Sequence, residues 1–288
     1  METIASKREW DAEDRVPSRG WIWRLATEFR AWSYLGALFL LSLGAGRSLA
    51  AKAEEGDAAF QTRIYTNSSG RHLPYRLLLP LHYDPKTSYP IILYLHGAAA
   101  RGSDNSEPLN WGPRLFLTNS LRERHDFVLV VPQCPRESGW VEYTWGGAGP
   151  LKESASLASA LELVGEALPK EFNLDPKRRY LTGVSMGGHA VWVVMVRRPG
   201  FFAAAIPVCA GGSAAMVTHA AAKYPVWAFH SEDDHLVPVQ QARDLVAAWR
   251  AHGGTAKYTE YTGLKHSSWK KAYVDPQMWD WLFSQHLP

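Results

Sequence analysis

Apolar residues fall into short continuous runs separated by polar, helix-compatible stretches. Tyr89-Pro-Ile-Ile-Leu-Tyr-Leu95 is almost unbroken, and the same is true of 127–132, 180–184, 203–208 and 226–230. Runs of this length without alternation are expected of strands covered on both faces. Two earlier stretches, Gln61 to Thr66 and Leu73 to Pro80, alternate with period two and read as an opening antiparallel pair. Amphipathic or apolar helices are predicted over Ser154 to Phe172, Ala190 to Arg198, Gln240 to His252 and Gln277 to His286, with a further strand over Ala256 to Thr262. Strands alternating with helices imply right-handed crossovers and a mostly parallel sheet. Reactive groups then belong at the carboxyl ends of the strands.

The amino-terminal part breaks this pattern. A mixed-charge lead is followed by the apolar run 31–45 and by the small residues Ser48-Leu49-Ala50. The run is short against the roughly 20 residues of a membrane span and reads as an export signal, with an uncleaved anchor as the alternative. We therefore expect a signal peptide or anchor over residues 1–50, a polar linker over 51–60 and a single catalytic domain over 61–288. Export, to the periplasm or beyond the cell, follows from the same reading, with membrane contact only through an uncleaved segment.

The 288 residues are 46% hydrophobic and 20% charged, enough for one large core. A net charge of +3 gives no bias toward nucleic acid. No repeat, zinc-type spacing, P-loop or dinucleotide fingerprint is visible, and no cofactor is expected. The two cysteines, Cys134 and Cys209, each follow a predicted strand. In the usual strand order of such a fold two other strands lie between them, a gap of about 14 Å at ~4.8 Å per strand. That is beyond the reach of a disulfide, about 7 Å, so both are expected to be free, buried thiols.

The chemistry-bearing stretch is Gly183-Val-Ser-Met-Gly187. A buried strand enters it and a buried helix leaves it, which is the setting of a nucleophile elbow. Such a turn needs glycines beside the serine, and it lifts Ser185 clear of the sheet. The N–H of Met186, at a helix start, would face a developing oxyanion. The second donor is expected from the N–H of Ala98, in the small-residue turn after the run ending at Leu95.

An acid and then a histidine should follow in chain order. Glu232, Asp233 and Asp234 compete for the first role; Asp234, three residues before Val237-Pro238, has the best position and Asp233 the next. His266 follows a strand and the flexible Gly263-Leu-Lys265. His235 adjoins the acids and points elsewhere, and His252 and His286 read as surface residues. The remaining histidines are assigned to packing or surface. Trp111, Trp140, Trp145 and Trp269 fall in loops near strand ends; of these, Trp140, Trp145 and Trp269 are the candidates for binding sugar or aryl groups. For Trp269 the competing reading is a buried anchor of the His266 loop.

From about Arg71 onward the chain resembles the alpha/beta-hydrolase superfamily, and within it bacterial peptidases or esterases near dienelactone hydrolases and feruloyl or acetyl-xylan esterases. The resemblance rests on 95–105, Val131-Pro-Gln-Cys-Pro135, 174–188, 225–230 and 261–273. It implies that fold and the roles of nucleophile for Ser185, acid for Asp234 and base for His266. Two positions depart from the family pattern: Gly97-Ala-Ala-Ala100 stands where Gly-Ala-Gly-Glu is frequent, and Ser231 stands where glycine is usual. The expected activity is cleavage of a small-molecule or carbohydrate-linked carboxylic ester through an acyl-enzyme. The alternatives are a peptidase with the same triad and a non-catalytic carbohydrate-binding surface protein.

Overall fold

Eight strands form one twisted sheet, in the order β1-β2-β4-β3-β7-β8-β9-β10, and each predicted apolar run is one of them. The strands are β1 (Gln61–Thr66), β2 (His72–Leu78), β3 (Tyr89–Leu95), β4 (Val128–Pro132), β7 (Leu174–Val184), β8 (Ala204–Val208), β9 (Val226–Ser231) and β10 (Ala256–Tyr261), while β5 (Val141–Glu142) and β6 (Lys152–Glu153) make a separate two-stranded ribbon. β1 pairs antiparallel with β2, and β2 with β4; every other pairing in the large sheet is parallel. The structure, a computed structural model, describes residues 56–142 and 152–288. The expected signal or anchor over 1–50 and the first half of the linker, 51–55, lie outside the described residues. The end of that linker is not free chain: both Asp57 carboxylate oxygens accept from Arg114 at 2.7 and 2.6 Å, and Phe60 is buried. Ordered packing therefore starts before Gln61. Among the described residues no helix is long and apolar enough to cross a membrane.

Both faces of the sheet are covered, which is why the central strands read as continuous apolar runs. One face packs Leu93, Leu95, Val130 and Leu181 against Trp192, Val194, Leu157 and Trp249. The other packs Ile92, Tyr94, Leu129 and Ile206 against Phe116, Tyr273, Trp279 and Leu282. Aromatic pairs hold the second layer together, with the Phe116 and Trp279 centroids 4.7 Å apart and edge to face.

The helix predicted over 154–172 forms as one continuous run with a π-turn inside it. Ser154 caps α1 (Ala155–Glu162) by accepting from the Leu157 N–H at 3.2 Å. A π-turn over Leu163–Ala167 then leads into α2 (Leu168–Glu171). Pro169 is the cause: it has no N–H, and its ring would clash with the carbonyl four residues back, so the ladder widens just ahead of it. The remaining helices are α3 (Met186–Arg197), α4 (His219–Ala222), α5 (Val239–Ala251), α6 (Trp269–Ala272) and α7 (Pro276–Phe283), and the short helix Asn119–Arg124 precedes β4.

The strand order places the loops that matter side by side. From β3 the chain moves outward to β4, then returns across β3 to β7, and Leu95 pairs with Gly183 in register. The turns that leave these two strands therefore open at the same point on the sheet edge, as expected at a topological switch point.

Cys134 and Cys209 are free and buried, with β3 and β7 between their strands. Burial pushes each thiol up to about 12. Both thiols should therefore resist an aromatic disulfide reagent at pH 8 in the native protein and titrate together on denaturation. Rapid native labelling of either would contradict this packing.

Candidate active site

Ser185 sits between β7 and α3 with φ 56° and ψ −117°, a sparsely populated conformation that costs about 1–3 kcal/mol. The glycines around it make that geometry possible. A Cβ on Gly187 would lie 1.9 Å from the Leu95 carbonyl oxygen, and one on Gly183 would lie 2.7 Å from the Gly187 carbonyl carbon. Gly188 is confined in the same way, 2.5 Å from Ala210 Cβ. No side chain fits at these positions, so the helix can start hard against the end of β3. The Ser185 N–H donates to Val208 O at 3.0 Å and ties the turn to β8.

Three side chains form a continuous hydrogen-bonded series. The Ser185 hydroxyl donates to His266 Nε2 at 2.8 Å, and His266 Nδ1–H donates to Asp234 Oδ2 at 2.7 Å. Asp234 follows β9 and its side chain is fully buried. Its other oxygen, Oδ1, accepts from the N–H groups of Leu236 and Val237 at 2.9 and 3.0 Å. Of the three competing acids, Asp234 is thus the one that meets His266. Asp233 turns instead to the backbone of the His266 loop, accepting from Lys265 N–H at 3.1 Å. His235 is exposed, as expected.

A second imidazole lies beneath the acid. Fully buried His230 places Nε2 3.0 Å from Val237 O and 3.2 Å from Asp234 Oδ2. Its Nδ1 has no hydrogen-bond partner, and burial lowers its pKa. The neutral Nε2–H tautomer satisfies the Val237 carbonyl without adding a buried charge. Val237 is therefore held through both its N–H and its C=O, and with it the turn that cradles Asp234.

Ala98 begins a 3₁₀ turn that runs to Ala100 after β3, and the preceding Gly97 packs against the elbow. A Cβ on Gly97 would be 3.5 Å from Ser185 Cβ. Polar contacts fix the rest of this loop. Gln133 donates to Ala100 O and to Asp104 Oδ2, both at 3.0 Å, and accepts from Asn105 N–H at 2.6 Å. Arg101 Nε donates to Ala98 O at 3.0 Å. Ala98, Met186 and Ser185 share one open cleft of about 790 Å³, whose other walls include Arg71, Arg101, Glu137, Ser138, Glu142 and His189. Burial also lowers the pKa of His189.

The tryptophan expectations need correction. Trp140 is 0% exposed: its indole N–H donates to His96 O at 2.9 Å and its ring meets the His96 ring edge to face. It braces the turn before Ala98 from below and has no face to offer a ligand. Trp269 is 8% exposed, packed near Trp111 beneath the His266 loop, which is the anchor alternative rather than a binding platform. Trp145 lies outside the described residues. The cleft beside Ser185 is lined mainly by polar and charged groups, with Ala98, Val141, Ala155 and Met186 as its apolar part.

Sequence reasoning missed His96, Gln133 and His230 as supports, having assigned the two histidines to general packing. A usable signal was present: each stands at or just past the end of a buried strand, where a polar residue needs partners, and His96 and His230 lie within a few residues of Ala98 and Asp234. His96 shows the pattern plainly. Nδ1–H donates to Gly97 O at 2.7 Å, while Nε2 accepts from Cys134 N–H at 3.1 Å. Both nitrogens are in use only in the neutral form, and burial lowers the pKa to about 4.

The Esterase family profile matches residues 66–244, and the chain belongs to that family, a family of hydrolases acting on carboxylic esters. A solved thermostable esterase superposes with a TM-score of 0.74 at 34% identity, covering 80% of this chain and 64% of that one. The fold is the alpha/beta-hydrolase fold that the resemblance implied. A bifunctional acetylxylan esterase/xylanase of Neocallimastix patriciarum is 25% identical over 186 residues, which is 65% of this chain and 25% of that protein. A poly(3-hydroxyoctanoate) depolymerase of Pseudomonas fluorescens is 25% identical over 201 residues, 64% of this chain and 70% of that protein. The chain thus spans about a quarter of the length of the first of these two relatives.

Neutral, buried His96 makes the fold acid-sensitive. Its ordinary pKa is about 6.5, so as pH falls below that value the unfolded chain takes up a proton that the folded chain refuses down to about 4. Stability is lost across that window. Thermal melts between pH 7 and pH 4 should show Tm falling, and falling less in His96→Gln, whose amide oxygen can still accept from Cys134. Identical slopes in the two proteins would contradict a neutral His96.

Proposed function

We propose that this protein is a serine hydrolase of carboxylic esters working through an acyl-enzyme. The observation that carries the reading is the unbroken series Ser185–His266–Asp234 opening on the cleft. Ser185 Oγ attacks the ester carbonyl carbon while His266 Nε2 accepts its proton. Asp234 keeps the imidazole in the Nδ1–H tautomer and stabilises its cation. The oxyanion forms between the N–H groups of Met186 and Ala98, where one such donor contributes roughly 10²–10³ in kcat. His266 then protonates the departing alcohol, and a water activated by the same histidine releases the acid. The elbow conformation and its three confined glycines support this assignment of roles.

The substrate we infer is an ester of a short acyl group on a polar, hydroxyl-bearing carrier. Arg71, Arg101, Glu137, Ser138 and Glu142 border the cleft, and they suit hydrated hydroxyls better than a long alkyl chain. An acetylated polysaccharide fits this chemistry, and the likeness to an acetylxylan esterase points the same way.

Three variants test the roles. Ser185→Ala should abolish turnover with an unchanged circular dichroism spectrum, since one hydroxyl is lost and little packing. Asp234→Asn should lower kcat on the order of 10⁴-fold, and Asp233→Asn far less. Near-native kcat in Ser185→Ala would end the mechanism. A panel of p-nitrophenyl acetate, p-nitrophenyl octanoate and acetylated xylan should show preference for the acetyl esters, and preference for octanoate would refute the substrate class.

Export belongs to the same reading, resting on the apolar run 31–45 and the small residues at 48–50. Mass spectrometry of the exported protein should find a chain beginning near Ala51. Intact protein recovered in the membrane fraction would indicate an anchor.

A further inference from the structure

Parallel pairing between β9 and β10 ends at Ser231 and Tyr261. His266 lies beyond the end of that ladder, on a stretch containing Gly263 at φ 77° and Lys265 at φ 49°. A left-handed residue other than glycine is held only where surrounding contacts impose it. Yet His266 Nε2 must stay within hydrogen-bond reach of Ser185 Oγ, 81 positions away in the chain. Something has to fix the loop where the sheet stops.

Two side chains at the end of β9 do so. The Ser231 hydroxyl donates to Asp233 Oδ1 at 2.5 Å and accepts from Leu264 N–H at 3.3 Å. The same Asp233 oxygen accepts from Lys265 N–H at 3.1 Å. Ser231 Oγ also lies 3.2 Å from Tyr261 O. Both residues immediately before His266 are thus tied by their backbone N–H groups to one Ser–Asp pair. A carboxylate acceptor makes these bonds stronger than neutral ones.

We propose that Ser231 and Asp233 form a clamp that positions the His266 loop, so that neighbouring acids have separate roles, Asp234 orienting the imidazole and Asp233 orienting the backbone that carries it. The proposal rests on the reading of His266 as general base. A glycine at position 231 would have no hydroxyl to bridge Asp233 and Leu264, so the Ser231 side chain is what completes the device. Neither member touches the reacting atoms; both are positioning residues.

The test uses the full chain with Asp233→Ala, Asp233→Asn, Ser231→Ala and the double variant Ser231→Ala/Asp233→Ala. Turnover of p-nitrophenyl acetate and hydrogen exchange of the amides at 264 and 265 are measured well below Tm. Asp233→Ala should lower kcat roughly tenfold, short of the 10²-fold that a 1 Å misplacement can cost. KM should hardly change, and exchange at Lys265 should accelerate. Asp233→Asn keeps an acceptor oxygen and should restore most of the activity. The double variant should be little worse than the poorer single one, because both act on one network.

Unchanged kcat in Asp233→Ala alongside faster exchange would overturn the positioning role. Equal losses in Asp233→Asn and Asp233→Ala would overturn the hydrogen-bonded clamp in favour of a charge effect. Should Ser185→Ala retain turnover, the triad reading falls and the catalytic purpose of the clamp falls with it. Loop exchange is read without turnover and tells the two failures apart.

Discussion

Everything in this site depends on how closely two pieces of backbone approach at the ends of β3 and β7. The Gly187 Cα faces the Leu95 carbonyl so tightly that any Cβ would overlap it, and Gly183 and Gly188 are closed in by backbone in the same way. That contact brings the turn bearing Ala98 against Ser185 and lets α3 begin at the sheet edge. Met186, at the start of the helix, and Ala98, at the start of the 3₁₀ turn, consequently face one cleft. A methyl group at Gly187 would separate the two turns, and the cleft would lose the arrangement from which its chemistry follows.

Around that contact three histidines are held toward the neutral form. His96, His189 and His230 all have pKa values lowered by burial, and each has hydrogen-bond partners suited to an uncharged ring. Their dipoles stiffen the loops without competing with His266 for the charge on Asp234. A protonated His230, 3.2 Å from that carboxylate, would divide the charge between two rings and weaken the hold on the imidazole that meets Ser185.

The sheet was legible because strands buried on both faces leave continuous apolar runs, and the elbow because its glycines are required by contacts within a few residues. The order acid-then-histidine made Asp234 and His266 recognisable as well. Burial of Trp140 and Trp269 could not be read, since a loop position fixes where a side chain starts but not whether it turns inward. Pro169 was visible, but its effect on the helix ladder depends on whether the turn before it can widen. The Ser231–Asp233 pair was hidden for another reason: its bonds run to a loop more than thirty residues later, and no local pattern records them.

Ser185 and His266 also differ in when they come into being. The strand and glycines of the elbow all precede Trp192, whereas His266 lies 81 residues beyond Ser185. At 5–20 residues per second, a ribosome adds the serine roughly 4–16 s before the histidine is made. During that interval the hydroxyl has no imidazole to bond. The nascent chain therefore carries this serine without its hydrogen-bond partner until the loop beyond β10 has been made and docked.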